Sequence, residues 1–295
     1  MNPALKQLGF DEHDRVLIFH ADDIGMCHAT LPALADLLDF GLVSSAAVMV
    51  PCPWFPQTAT FCREHPNVDM GVHLTLNCEW EPYRWGPIST RDPRSGLLDA
   101  DGYFHAWPPA TWQHADQAAV VAEIQAQVRR AKDAGIDTTH VDAHMATVAH
   151  PRFCTSYVDV ALDNRLPVFL SRGDAARWRA RGVDEDLIVQ YTNLMQELEA
   201  RGTPLVDNVA MLPLDDPSDQ IARAKQIIDD LRPGLTELIF HPAHDTPELR
   251  ALAPDWRSRV ANYEVGLSTE LRDYMRQSGV QLIGYRPLRE LIRAS

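Results

Sequence analysis

Two adjacent carboxylates and several imidazoles stand at the ends of apolar runs in this 295-residue chain. They fall in three short segments: Phe19-His20-Ala21-Asp22-Asp23-Ile24-Gly25, Gly71-Val72-His73-Leu74 and His140-Val141-Asp142-Ala143-His144. A fourth, Leu238-Ile239-Phe240-His241-Pro242, repeats the layout near the C-terminus. One carboxylate and two imidazoles suffice for a divalent metal that also keeps a position open for water or substrate. The leading expectation is a metal-dependent hydrolase whose site lies where four strands end.

Neighbouring residues of a strand point to opposite faces, so Asp22 and Asp23 can serve one site only at a strand end, which Gly25 marks. Two crowded acids divide naturally into a metal ligand and a free base. A pair of turn or capping aspartates is the plainer alternative. His73 interrupts a buried run, where a lone histidine is commonly a core residue; the acidic pair and the next motif make it a ligand candidate. His140, Asp142 and His144 are two apart, which on a strand puts them on one face. Burying three ionisable groups in a row is costly unless they are paired or metal-bound. The economical arrangement has His144 on the metal, with Asp142 and His140 behind it fixing its orientation.

His241 is a candidate proton donor or oxyanion stabiliser, with a structural anchor before Pro242 as the alternative. His20 is expected to face away from the acidic pair. Arg172 is a candidate anchor for a substrate hydroxyl or carboxylate, or an ordinary ion-pair residue. His28, His150 and His244 carry no spacing argument. The chain has no G-x-S-x-G elbow and no glycine-rich phosphate cradle, so serine-triad and nucleotide chemistry find no support.

These residues need elements to hold them. Strand-like runs cover 15–20, 43–50, 68–76, 138–143, 168–171, 209–212, 237–241 and 280–285. Helical patterns cover 30–40, 114–134, 184–201, 218–231 and 268–277. Alternation of this kind implies an α/β protein with parallel strands covered on both faces, and about eight strands favour a closed or distorted barrel. Such a barrel carries its active residues at the C-terminal strand ends. The expected organisation is a single domain over 1–295. One long loop, 79–111, is rich in Pro, Gly and aromatics and is expected near the barrel mouth. There it could stack on a sugar ring or pack as its own aromatic cluster.

Composition narrows the class. Hydrophobic residues make up 45% of the chain, enough for a large core, and the formal net charge of −14 disfavours nucleic acid and anionic membrane as partners. Five cysteines without a C-x-x-C pair argue against a disulfide framework. No signal peptide or membrane-length apolar run is evident, so the expectation is a cytoplasmic protein.

The motifs together resemble the YdjC-like carbohydrate deacetylases, also called the ChbG/HpnK family. The matching segments are Ala21-Asp22-Asp23-Ile24-Gly25, Gly41-Leu42-Val43-Ser44-Ser45, Gly71-Val72-His73-Leu74, Thr139-His140-Val141-Asp142-Ala143-His144 and Glu237-Leu238-Ile239-Phe240-His241-Pro242. The similarity extends to the closing Leu282-Ile283-Gly284-Tyr285-Arg286. The resemblance implies a deformed (β/α) barrel that removes an N-acetyl group from an amino sugar with a bound divalent metal. It implies Asp23, His73 and His144 as metal ligands, Asp22 as the base and His241 as the acid. Two departures stand out: Ile24 where many relatives have Phe, and Met145-Ala146-Thr147-Val148 where several continue with histidines.

One divalent ion is expected. Two imidazoles and a carboxylate suit Zn, Co, Ni or Mn by softness, whereas Mg usually takes more oxygen ligands. The expected partner is a small N-acetylated sugar, with a homodimer as a possible assembly. Competing readings are metal-dependent hydrolysis of another amide or ester, sugar isomerase or phosphoesterase chemistry, and a non-catalytic sugar-binding barrel.

Overall fold

The computed structural model describes residues 2–172 and 174–294. Seven strands build one all-parallel sheet: β1 (Arg15–Ile24), β2 (Ser45–Val48), β3 (Met70–Leu74), β4 (Thr138–Ala143), β5 (Asn208–Met211), β6 (Gly234–Phe240) and β7 (Gln281–Leu282). Their order is β4-β3-β2-β1-β6-β5, with β7 paired to the start of β1. The segment 168–171 closes the ring, bridging Val141 of β4 through Val168 and Val206, just before β5, through Ser171. The architecture is thus a deformed α/β barrel, as expected from the alternation. Of the eight expected strands, 168–171 makes only those two isolated bridges among the described residues and belongs to no ladder.

Buried on both faces, the parallel strands read as continuous apolar runs. In β1 every residue from Val16 to Ile24 is buried. Helices cover the outside, several of them with a single apolar stripe. The helix Gln117–Asp133 buries Val120, Ile124, Val128 and Ala131. The expected 114–134 helix runs over Gln117–Asp133, and a separate short helix, Pro108–His114, precedes it. Asp116 separates them, its side chain accepting a hydrogen bond from the Ala119 amide at 3.0 Å, as an N-cap does.

Two buried polar residues of the longer helix hold the chain that follows β3. Gln127 accepts from the Thr75 amide at 2.9 Å and donates to the Thr75 carbonyl at 2.8 Å. Glu123 accepts from the amides of Ile88 and Ser89 at 3.1 and 2.8 Å. The aromatic-rich stretch 79–111 packs largely inward. Trp80, Trp85 and Phe104 are buried, Trp85 Nε1 donates to the Asn77 carbonyl at 2.7 Å, and the Tyr83 hydroxyl donates to the Met26 carbonyl at 2.7 Å. Trp107, 60% exposed, stands apart from that cluster. Among the described residues no helix is long and apolar enough to cross a membrane.

Candidate metal centre and active site

A break in β1 creates the site. Between Ala21 and Ile24 the β1–β2 register shifts, and Asp23 adopts φ 62°, a left-handed conformation costly for a side chain larger than glycine. The bulge turns two consecutive carboxylates, which a regular strand would send to opposite faces, toward the same end of the barrel. Both are buried, Asp22 at 7% and Asp23 at 2% exposure.

His73 on β3 and His144, directly after β4, join Asp23. Its Oδ1 lies 3.3 Å from His73 Nε2 and 3.3 Å from His144 Nδ1, and those two nitrogens are 3.3 Å apart. Asp23 Oδ1 is buried and accepts no hydrogen bond among the described residues. Metal bonds of about 2.0–2.1 Å at the tetrahedral angle separate their donor atoms by about 3.3–3.4 Å. The three atoms therefore fit one face of a tetrahedral cation, and the donor set suits Zn, Co, Ni or Mn.

Each of the three has a charged partner on its far side. Arg259 Nη1 holds Asp23 Oδ2 at 2.7 Å and is itself held by Asp255 at 2.9 Å. His73 Nδ1 donates to Asp142 Oδ1 at 2.8 Å, and His144 Nε2 donates to Glu79 Oε2 at 3.1 Å. Carboxylates behind ligand imidazoles fix the tautomer and raise basicity toward a metal. The protonation preferences follow the same contacts. Burial pushes the Asp23 carboxyl up, but Arg259 and the two imidazoles together hold it well below the usual carboxylate range. Burial opposes a charge on His144 as well, yet Glu79 and Asp23 raise it to about 9. For His73, burial is outweighed chiefly by Asp142 and Asp22, leaving it well above its ordinary value.

Asp22 stands beside this triad. Its Oδ1 is 3.8 Å from His73 Nδ1 and its Oδ2 is 3.8 Å from His241 Nε2, at the end of β6. Burial and Arg259 keep His241 below its ordinary value against the pull of Asp23 and Asp22. Asp22 also lines a cleft of 650 Å³ walled mainly by apolar side chains, including Trp112, Met145, Phe169 and Trp178, with Arg177 and Arg181 on its border.

Several sequence-based assignments change. Asp142 was expected behind His144 but lies behind His73, because β3 and β4 pair in a register that sets His73 opposite Asp142. His140 stacks on Tyr285 at 3.8 Å between ring centroids, takes a 3.0 Å contact from Thr139 Oγ1 and reaches Asp142 only at 3.8 Å. It packs the barrel interior beneath the site. Arg172 is a correction: it is ion-paired at 3.0 Å to Glu199 and at 3.0 Å to Asp207, beside the N-terminal start of β6, the opposite end of the strand from His241. Its guanidinium charge is spent on those two carboxylates.

His20 faces inward instead of away, with Nε2 2.9 Å from Asp142 Oδ2 and 3.0 Å from Asp22 Oδ1. Strand periodicity contains that signal, since residues two apart share a face. Glu79 and Arg259 have no such signal. Glu79 opens an irregular stretch, and Arg259 reaches Asp23 from a helix 236 residues away in sequence.

The fold is shared with a crystal structure of a putative cellobiose-phosphate cleavage protein from Enterococcus faecalis, with a TM-score of 0.77 and 21% identity over 93% of this chain and 99% of that one. The chain itself belongs to the YdjC-like family, whose model, described as YdjC-like protein, matches residues 16–277. Among its relatives is a carbohydrate deacetylase of Thermus thermophilus, 32% identical across 88% of each chain. Another, a carbohydrate deacetylase of Thermoanaerobacter pseudethanolicus, is 23% identical over 93% of this chain and 100% of its own.

Proposed function

We propose that this protein is a metal-dependent carbohydrate N-deacetylase, which hydrolyses the acetamide of an amino sugar or short oligosaccharide. The observation that carries the reading is the buried 3.3 Å triangle of Asp23 Oδ1, His73 Nε2 and His144 Nδ1 with a second carboxylate, Asp22, beside it. Family membership and the names of the two relatives point the same way.

Asp23, His73 and His144 would hold the ion. A divalent metal bound there supplies Lewis acidity, which lowers the pKa of water and polarises a carbonyl. The remaining steps fall to the chain. Asp22, bound to none of the three donor atoms, takes the proton of the attacking water as the acetyl carbon becomes tetrahedral. Collapse of that carbon breaks the C–N bond, and the amine leaves only if it is protonated. His241 stands 3.8 Å from Asp22 and is the group to deliver that proton. Burial, with Arg259, holds its imidazole below the ordinary value. The cleft wall, which includes the half-buried Trp112, offers an apolar surface to a sugar ring. The reading includes a cytoplasmic setting, supported by five buried cysteines that form no disulfide.

The test is acetate release from a panel of N-acetylated mono- and disaccharides, with the protein stripped of metal and then resupplied. Acetate that appears only with metal is the expected result. Acetate from no member, with metal bound at the triad, would move the reading to another amide or ester.

A further inference from the structure

Below the triad lies a layer of buried polar groups that the mechanism above does not use: His20, His140, Thr236, Glu237 and Tyr285. His20 is the member in touch with the chemistry. Fully buried on β1, it sets a single ring nitrogen between two carboxylates, with Nε2 2.9 Å from Asp142 Oδ2 and 3.0 Å from Asp22 Oδ1. An imidazole Nε2 carries one hydrogen at most, and the hydrogen bond goes to Asp142. Asp22 Oδ1, equally buried, has no hydrogen-bond partner among the described residues, and the His20 ring lies against it at 3.0 Å.

From this arrangement we infer that His20 is a positioning residue which ties the base to the metal centre, a step that rests on the deacetylase reading. Asp142 spends its other oxygen on His73 Nδ1 at 2.8 Å. The contacts therefore run Asp22, His20, Asp142, His73, from the proton acceptor to a metal ligand through one buried imidazole. A carboxylate on a two-torsion side chain, with its buried Oδ1 hydrogen-bonded to none of the described residues, would otherwise be free to turn in the cleft wall. Asp142 would likewise lose the donor that fixes the oxygen facing away from His73. Burial disfavours the charged form of His20, but Glu237, Asp142 and Asp22 together keep its pKa well above the ordinary value.

Two variants separate this role from simple core filling. His20→Gln keeps an N–H donor at nearly the same reach, and His20→Met keeps the length without a donor; His20→Ala replaces the latter if it does not fold. Zn²⁺ affinity by chelator competition needs no substrate, and steady-state kinetics on the acetate-releasing sugar follow the base. For His20→Met, kcat should fall about 10–100-fold with KM within about two-fold, and Zn²⁺ affinity about 10-fold, the range typical of residues that orient metal ligands. His20→Gln should recover most of both. Equal losses in the two variants, a change in KM alone, or wild-type behaviour of His20→Met would each overturn the assignment. So would failure of every variant to fold, which would make His20 structural. If the wild-type protein releases no acetate, the deacetylase reading fails, while the Zn²⁺ arm still decides whether His20 supports His73.

Discussion

Asp22 and Asp23 are identical side chains in different surroundings, and on the proposed reading those surroundings give them different tasks. Asp23 has one oxygen fixed by Arg259 at 2.7 Å and the other aimed between two imidazoles, which is how a ligand is prepared. Asp22 has no such clamp; it lines the cleft and lies near His20 and His241. Exchanging the acids for amides should separate the roles. Asp22→Asn leaves all three donor atoms in place, so metal content should stay at wild-type stoichiometry. Turnover should fall about 10²–10⁴-fold, the usual contribution of a general base. Asp23→Asn removes the anionic ligand and leaves Arg259 buried beside a neutral group, so metal should be lost together with activity. Metal analysis by mass spectrometry beside kinetics checks both. An Asp22→Asn protein that loses metal, or an Asp23→Asn protein that keeps it, would reverse the two assignments.

At the scale of elements, the site depends on β3 and β4 lying closely side by side, and Gly71 is what permits it. A Cβ at Gly71 would come within 2.3–2.6 Å of three ring atoms of His140. That ring has little room to retreat, since Tyr285 stacks on one face and Thr139 Oγ1 contacts Nδ1 at 3.0 Å. Gly71→Ala should therefore destabilise by about 1–3 kcal/mol, the cost of overpacking a filled core, and should push β3 outward with His73 two residues on. A lowered denaturation midpoint with weakened metal binding is the expected pair of results; an unchanged midpoint would mean that His140 can yield. The same elements show what sequence reveals. The strands carrying His73, His144 and His241 were legible because buried runs end abruptly in polar residues, and β4 was read to the residue. Cross-strand pairing was not legible, so Asp142 was assigned to His144 along its own strand, whereas the β3–β4 register gives it to His73. Arg172 looked like a strand-tip residue, but 168–171 meets β5 near that strand's beginning, which carries the guanidinium away from the metal triad. The bulge at Asp23 was signalled only indirectly, by two acids and a glycine where one strand had to end.

At the scale of the whole molecule, buried histidines make stability depend on pH, and His150 does so at a distance from the metal triad. It caps the helix Pro151–Asp163, with Nδ1 accepting from the Arg152 amide at 3.2 Å, and it stacks on Trp112 at 4.3 Å. Accepting that bond requires a neutral ring. Burial, then the charges of Arg152 and Arg181, lower its pKa to about 4, against the ordinary 6.5 of a histidine in the unfolded chain. Between those values the unfolded chain binds the proton and the folded one does not, so stability is full above pH 6.5 and declines as pH falls toward 4. The slope from one proton cannot exceed about 1.4 kcal/mol per pH unit. His150→Gln keeps an acceptor oxygen for the cap but cannot titrate, so it should flatten that part of the profile while changing stability little at pH 7.5. Denaturant melts of both proteins from pH 4 to 7.5, run on metal-free samples so that ligand protonation at the triad is common to both, measure the difference. Because Trp112 and Trp178 pack on His150 and also wall the cleft, the same protonation should loosen the cleft wall. Parallel profiles for the two proteins would place the acid sensitivity elsewhere, in the carboxylates around the triad.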